Sequence, residues 1–383
     1  MKKIRIRFLF MFIIGCIVVI GVQLYVKSLE EKYHFEQREI LRGIYNPNDL
    51  QKFTDLRPAR MRPSKFKKID FKNKYDALLT CSFDTLTEWP SKDKLPEKFK
   101  PHEIMNIAQD PGLGVRELHR QGITGKGVRV AIIDFPFLRE HEEYRDKVAK
   151  FCLTNGKSLE TLGKPSTHGT ATASLLVGEG CGVAPGASLY FWGMAERGVT
   201  FDPEIAGIEQ IMEFNKDKEL TDKIRVVSIS WGLNKKFNNY KTFKKKLKLA
   251  KANGLLVVLV NKQIGGLKCP LYKDRNNPEN YDIMYHFEGY EKKLSSGMIY
   301  VPCDNRTTAS ERGTKEYSFW GGSGLSWAVP YLAGVITLGY QVNPNLQPDE
   351  IFQYIRETGT PFNRGWIINP KEFIKKVRAV SKM

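Results

Sequence analysis

Three stretches of this chain are rich in Val, Ile and Leu without the polar alternation of a half-exposed strand: VRVAIID at 128–134, IRVVSIS at 224–230 and GLLVVLV at 254–260. Near-continuous apolar runs of that length predict strands buried on both faces. A fourth strand is expected at 188–192, following Gly186. Between these runs the apolar residues fall at helical spacing instead. Ile205, Ile208 and Met212 mark a helix over 203–214, and Phe243, Leu247 and Ala250 mark one over 240–253. Small residues at 171–177 and an apolar run at 327–338 predict two more buried helices. Strands that alternate with helices predict an α/β fold, with a mostly parallel central sheet and helices on both faces. Ligands of such sheets bind at the carboxyl ends of the strands. Asp134, Ser230 and Asn261 each fall at one such end.

Upstream the pattern weakens. Residues 113–127 read as an amphipathic helix, with Leu113, Val115 and Leu118 inward, closed by Gly122 and a Gly125-Lys126-Gly127 turn. Residues 27–100 are polar and basic with little periodicity, and only 75–83 is apolar enough for one strand or helix. At the N-terminus, Lys2, Lys3, Arg5 and Arg7 precede an uncharged apolar run at 8–26. That run has about the length of one membrane span, and its basic flank predicts a cytoplasmic N-terminus. The expected organisation is a basic tip with a transmembrane helix or signal segment (1–27), an N-terminal extension or stalk (28–112), and one α/β domain (113–383). The domain is therefore expected outside the membrane, in a single-pass protein. A secreted form, or one lipid-anchored through Cys16, is the alternative.

Composition changes this picture little: 42% hydrophobic and 27% charged is ordinary for a globular protein. The net charge of +18 suits work near anionic surfaces. No nucleic-acid motif accompanies it and the lysines are dispersed, so no nucleic-acid partner is expected. Lys244 to Lys246, Lys248 and Lys251 read as the solvated face of the helix over 240–253. Six cysteines are present, one of them Cys16 in the apolar run. The other five lack C-x-x-C spacing, which argues against a zinc site. A disulfide such as Cys152 to Cys181 is compatible with the sequence but not fixed by it.

The candidate chemistry gathers around GGSGLSWAVPYLAG at 321–334. A Gly-rich turn delivers Ser326 to the start of an apolar helix, and Pro330 is tolerated in a helix near its first turn. Free backbone N–H groups there would stabilise negative charge beside the hydroxyl. An activated serine also needs a base and an acid that orients the base. Asp134 at a strand end and His168 at a helix start supply both, in the chain order Asp, His, Ser. Taken singly, each has a commoner structural reading: Ser326 as a helix cap, Asp134 as a turn residue, His168 as a polar group at a helix start. His141 competes as the base, but lacks the Gly-Thr that follows His168 and is expected at the surface. Ser323 does not meet the G-x-S-x-G pattern, because Leu325 occupies the last position.

Four blocks together resemble the subtilisin-like serine peptidases, or subtilases: GKGVRVAIID around Asp134, THGTATASLLVG around His168, VVSISWG before Leu233, and GLSWAVPYLAG around Ser326. The resemblance covers about 122–334 and implies a parallel-sheet α/β fold that hydrolyses peptide or protein substrates. No cofactor for catalysis is implied, and structural calcium is left open. By the same resemblance Ser326 would be the nucleophile, His168 the proton shuttle and Asp134 its orienting acid. Asn261 would complete an oxyanion hole, and Ser230, Trp231 and Gly232 would form the edge on which substrate lies. Phe135 and Pro136 after Asp134, Val260 before Asn261, and Leu325 before Ser326 depart from the family pattern. A catalytically inactive subtilase fold that binds peptides or cell-envelope components is the alternative.

Overall fold

The computed structural model describes residues 50–161, 163–195, 198–284 and 295–381. The expected anchor at 8–26, with the rest of 1–49, lies outside the described residues. Among the described residues no helix is long and apolar enough to cross a membrane.

The described part of the 28–112 segment has a core of its own. Leu56, Phe66, Phe71, Leu78, Phe83 and Phe99 are buried together with Ile104 from helix α1 (Pro101–Gln109). These are single apolar residues scattered among lysines, which is why no periodicity announces them. Phe319, from beyond residue 300, closes the same cluster, with its ring 5.0 Å from that of Phe83. The 75–83 stretch divides into a one-turn helix, Tyr75–Leu78, and the two-residue strand β1 (Phe83–Asp84). Strand β1 pairs antiparallel with Tyr317–Trp320, which itself pairs with Arg306–Ala309. The extension is thus stitched to the downstream domain by sheet pairing and by a shared core.

Helix α2 (Val115–Arg120) is shorter than the amphipathic pattern predicts, because Gly114 preceding it is left-handed (φ 78°). The central sheet follows. It contains β2 (Arg129–Asp134), β3 (Val148–Leu153), β4 (Ser188–Gly193), β5 (Ile224–Gly232) and β6 (Leu256–Val260), in the order β3-β4-β2-β5-β6. Every pairing in it is parallel. Because side chains alternate across a strand, β2 sends Val130 and Ile132 into one core and Ala131 and Ile133 into another. The first core is covered by α3 (Thr167–Val177) and, from later in the chain, the helix Leu325–Val342. The second is covered by α4 (Asp202–Asn215) and α5 (Tyr240–Ala252). The continuous apolar runs therefore have the cause expected of them, burial on both faces. A second sheet places Ile264–Lys268, Met298–Asp304 and Gly365–Ile367 parallel to one another, with short antiparallel strands at its edges.

Chain order reverses at β2: β4 lies on one side of it and β5 on the other. In open parallel sheets such a switch point leaves a crevice at the carboxyl ends. Asp134 is the last residue of β2 and sits at that point.

Two expectations are corrected here. The five described cysteines are free thiols, so Cys152 and Cys181 are not joined. Cys152 ends beside Trp192 on the edge of the sheet, whereas the backbone N–H of Cys181 is held by the carboxylate of Glu143. His141 is fully buried rather than at the surface. Its Nε2 lies 2.8 Å from the carbonyl oxygen of Glu316, and its Nδ1 accepts from the Glu143 N–H at 3.2 Å. A backbone N–H two residues on and a carbonyl distant in sequence thus make a home for a ring that looked peripheral.

Candidate active site

Asp134 leaves β2 pointing into the crevice, 3% exposed at its side chain. Its Oδ1 accepts from the Phe135 N–H at 2.7 Å and from His168 Nδ1 at 2.7 Å. Its Oδ2 accepts from the Thr172 hydroxyl at 3.2 Å. The carboxylate can only accept, so the His168 proton sits on Nδ1 and Nε2 is left in the acceptor form. Thr172 follows His168 by one helical turn on α3, which brings both to the same carboxylate. That i, i+4 spacing was readable in the sequence, but the role of Thr172 was not.

The start of α3 is held firmly. Ser166 caps it by accepting from the His168 N–H at 3.0 Å, and the Ser166 N–H donates to Pro136 O at 2.7 Å. A Cβ at residue 169 would fall 1.9 Å from the carbonyl oxygen of Phe135, so only Gly fits after His168. The Phe135-Pro136 pair that departs from the family pattern is therefore the segment that clamps the histidine helix.

Ser326 arrives on α6 (Leu325–Val342), as the second residue of the helix. Gly324 before it has φ 98° and ψ 178°, a conformation that needs glycine. The turn is pinned by Asp304, whose Oδ1 accepts from the Ser323 N–H at 2.9 Å, while the Ser323 hydroxyl donates to Cys303 O at 2.6 Å. Ser323 is thereby a structural residue. The N–H of Ser326 is among the first four of the helix, which have no intrahelical acceptor.

Pro330 lies further inside the helix than the first turn where it was expected. It has no N–H to offer the carbonyl of Ser326, four residues back. That carbonyl instead accepts from the Ser230 hydroxyl at 2.8 Å. In return the Ser326 hydroxyl donates to Ser230 O at 3.3 Å. Ser230 comes within reach because β5 bulges: Ile229 pairs with Leu259 and Gly232 with Val260, leaving Ser230 and Trp231 between them. The same bulge exposes Trp231.

The structure thus brings Asp134 and His168 into contact and sets the serine helix beside them. The His168 ring lies 5.4 Å from that of Trp327, the residue after Ser326. Trp327 is in turn edge-on to Trp320 at 5.1 Å, and Arg57 of the extension lies 3.8 Å above the Trp320 ring. Nothing in the sequence pointed to Arg57. Asn261 follows β6, but its side chain is folded onto its own turn: Nδ2 donates to Leu259 O at 3.1 Å and Oδ1 accepts from the Gln263 N–H at 2.7 Å. One Nδ2 hydrogen remains beyond these bonds. Alongside the Asp134–His168 pair runs a cleft of about 770 Å³, lined by Phe135, Pro136, Ser166, Asn155 and Asp202 among others. These follow the carboxyl ends of β2, β3 and β4 or open the next helices. Among the described residues no cluster of His, Cys, Asp and Glu suited to a metal is found.

Residues 125–261, from the turn before β2 to Asn261, match the Subtilase family. That stretch is subtilase sequence. Three solved structures share the fold. The subtilase cytotoxin SubAB is 17% identical, with a TM-score of 0.53 over 74% of this chain and 98% of its own. The A-subunit of the AB5 toxin from E. coli is 18% identical, with a TM-score of 0.54 over 70% of this chain and 98% of its own. Fervidolysin from Fervidobacterium pennivorans, a keratinolytic enzyme related to subtilisin, is 16% identical, with a TM-score of 0.53 over 72% of this chain and 50% of its own. At these identities the likeness is one of subtilisin-like fold, an α/β architecture with a parallel central sheet.

Proposed function

We propose that the chain is a serine endopeptidase that acts through Asp134, His168 and Ser326. The observation that carries this reading is the 2.7 Å bond between Asp134 and His168 at the switch point of the sheet, beside the helix that bears Ser326. Ser326 Oγ would leave its resting bond to Ser230 O and attack the scissile carbonyl as His168 Nε2 takes its proton. The imidazolium so formed lies against the Asp134 carboxylate, which Thr172 and the Phe135 N–H hold in place. The Ser326 N–H and the remaining Asn261 N–H would receive the oxyanion. His168 then gives its proton to the leaving amine, and water, deprotonated by the same ring, releases the acyl group from Ser326.

The substrate would be a peptide or protein segment lying along Ser230 to Gly232 as an added strand. Its residues before the scissile bond have the cleft beside Phe135 and Pro136 to occupy. With residues 8–26 as an anchor, catalysis would take place outside the cytoplasmic membrane.

One observation favours the alternative, a subtilase fold that binds peptides without cutting them: Asn261 is already engaged with its own turn. A fluorophosphonate probe separates the two. The full chain should be labelled, with Ser326 as the modified residue, and Ser326→Ala should not be. An unlabelled wild-type chain, folded by circular dichroism, would overturn the peptidase reading.

A further inference from the structure

Behind the serine helix, two arginines are buried where no carboxylate balances them. Arg306 is 0% exposed and Arg275 is 4% exposed. Arg306 donates one bond, from Nη2 to Cys181 O at 2.8 Å, and Arg275 one, from Nε to Asp110 O at 3.1 Å. The other four guanidinium nitrogens, Nε and Nη1 of Arg306 and both Nη of Arg275, are buried and have no acceptor among the described residues. Nor does either side chain lie within ion-pair distance of an acidic group described here. A guanidinium taken from water without a partner costs several kcal/mol. Two of them in one region cost more: burial first, and then the positive charge of Arg275, lower the pKa of Arg306 to about 10. That value still leaves Arg306 charged at neutral pH.

The surroundings do not relieve this. The hydroxyls of Tyr281 and Tyr331 are turned away, donating to Arg275 O at 2.8 Å and to Gly112 O at 3.3 Å. The Tyr331 ring is 5.9 Å from the Arg306 guanidinium carbon, at the outer limit of a cation–π contact. The Asp110 carboxylate accepts from the Gly112 N–H at 2.9 Å. What this pair of side chains offers is a set of N–H donors and positive charge, which is the recognition chemistry of an anion.

We propose that Arg275 and Arg306 hold a small inorganic anion of halide size between them. The site joins the end of the N-terminal extension (Asp110), the loop that carries Arg275, the strand that starts at Arg306, the turn at Cys181 and, through Tyr331, the serine helix. Binding there would tie these segments together and stabilise the fold by mass action.

The test uses the full chain with chloride exchanged for gluconate at fixed ionic strength. Chloride returned stepwise should raise the unfolding temperature along a saturating curve, by roughly 3–8 °C once it is about 100-fold above its dissociation constant. Arg306→Met should unfold at a temperature independent of which anion is present. Should that variant fail to fold, wild-type crystals grown in bromide decide the matter without it. An anomalous peak within hydrogen-bonding distance of Arg275 and Arg306 is expected. Its absence would mean that water satisfies these nitrogens, and would overturn the proposal.

Discussion

His141 and His168 both follow β2 in the chain, yet their ring nitrogens are used in opposite ways. His141 gives one nitrogen to a carbonyl and takes a backbone N–H on the other, with its ring against Tyr144 and Tyr317. No nitrogen is left for chemistry, and the ring is sealed from solvent. His168 meets a carboxylate on Nδ1 and stays 28% exposed. A carboxylate can stabilise the imidazolium that proton transfer creates, whereas a backbone carbonyl does so weakly. The contrast separates the proposed base from a strut by what faces Nδ1, not by the kind of residue.

The largest expected effect comes from removing that contrast. Asp134→Asn should lower kcat/KM on a peptide substrate by a factor on the order of 10⁴, with folding intact, because an amide can favour the wrong tautomer. Stopped assays on the purified full chain would measure it. His141→Ala should do the reverse, leaving kcat per folded molecule unchanged. It strips partners from the Glu316 carbonyl and the Glu143 N–H, at a cost of about 2–4 kcal/mol in urea unfolding. Thr172→Val tests how finely the carboxylate is aimed: kcat should fall by about 5-fold, the equivalent of one hydrogen bond of about 1 kcal/mol, with KM unchanged.

The smallest effect is one of pH. Burial lowers the pKa of His141 and also of His119, whose Nε2 lies 2.8 Å from Val183 O. The unfolded chain then takes up protons near pH 6.5 while the folded one does not. Their contribution to stability is complete above about pH 6.5 and is lost as pH falls from there through the lower folded values. Urea midpoints between pH 8 and 5.5 should decline, and His141→Gln should flatten part of the slope.

Much of the domain was legible because its elements are dictated locally. Runs such as 128–134 and 254–260 have one plausible fate; Asp134 ends the first of them, and His168 opens a helix in company that restricts the backbone, as Gly169 does. What was hidden depends on partners remote in sequence. His141 needs the carbonyl of Glu316, Phe83 needs Phe319, and Arg57 needs Trp320. Position along one's own helix or strand says nothing of such meetings. Pro330 is a subtler case: its missing donor was plain, but the hydroxyl of Ser230 that answers it comes from a bulge that only strand pairing reveals.

The pairing of β1 with Tyr317–Trp320 limits how the molecule can be trimmed. A chain begun where the family likeness begins would bare the backbone of that strand and the ring of Phe319 together. An open edge flanked by an uncovered aromatic invites a second molecule to dock. Such a fragment should associate or precipitate even with Asp134, His168 and Ser326 all present, so the boundary of the family likeness is not the boundary of what can stand alone.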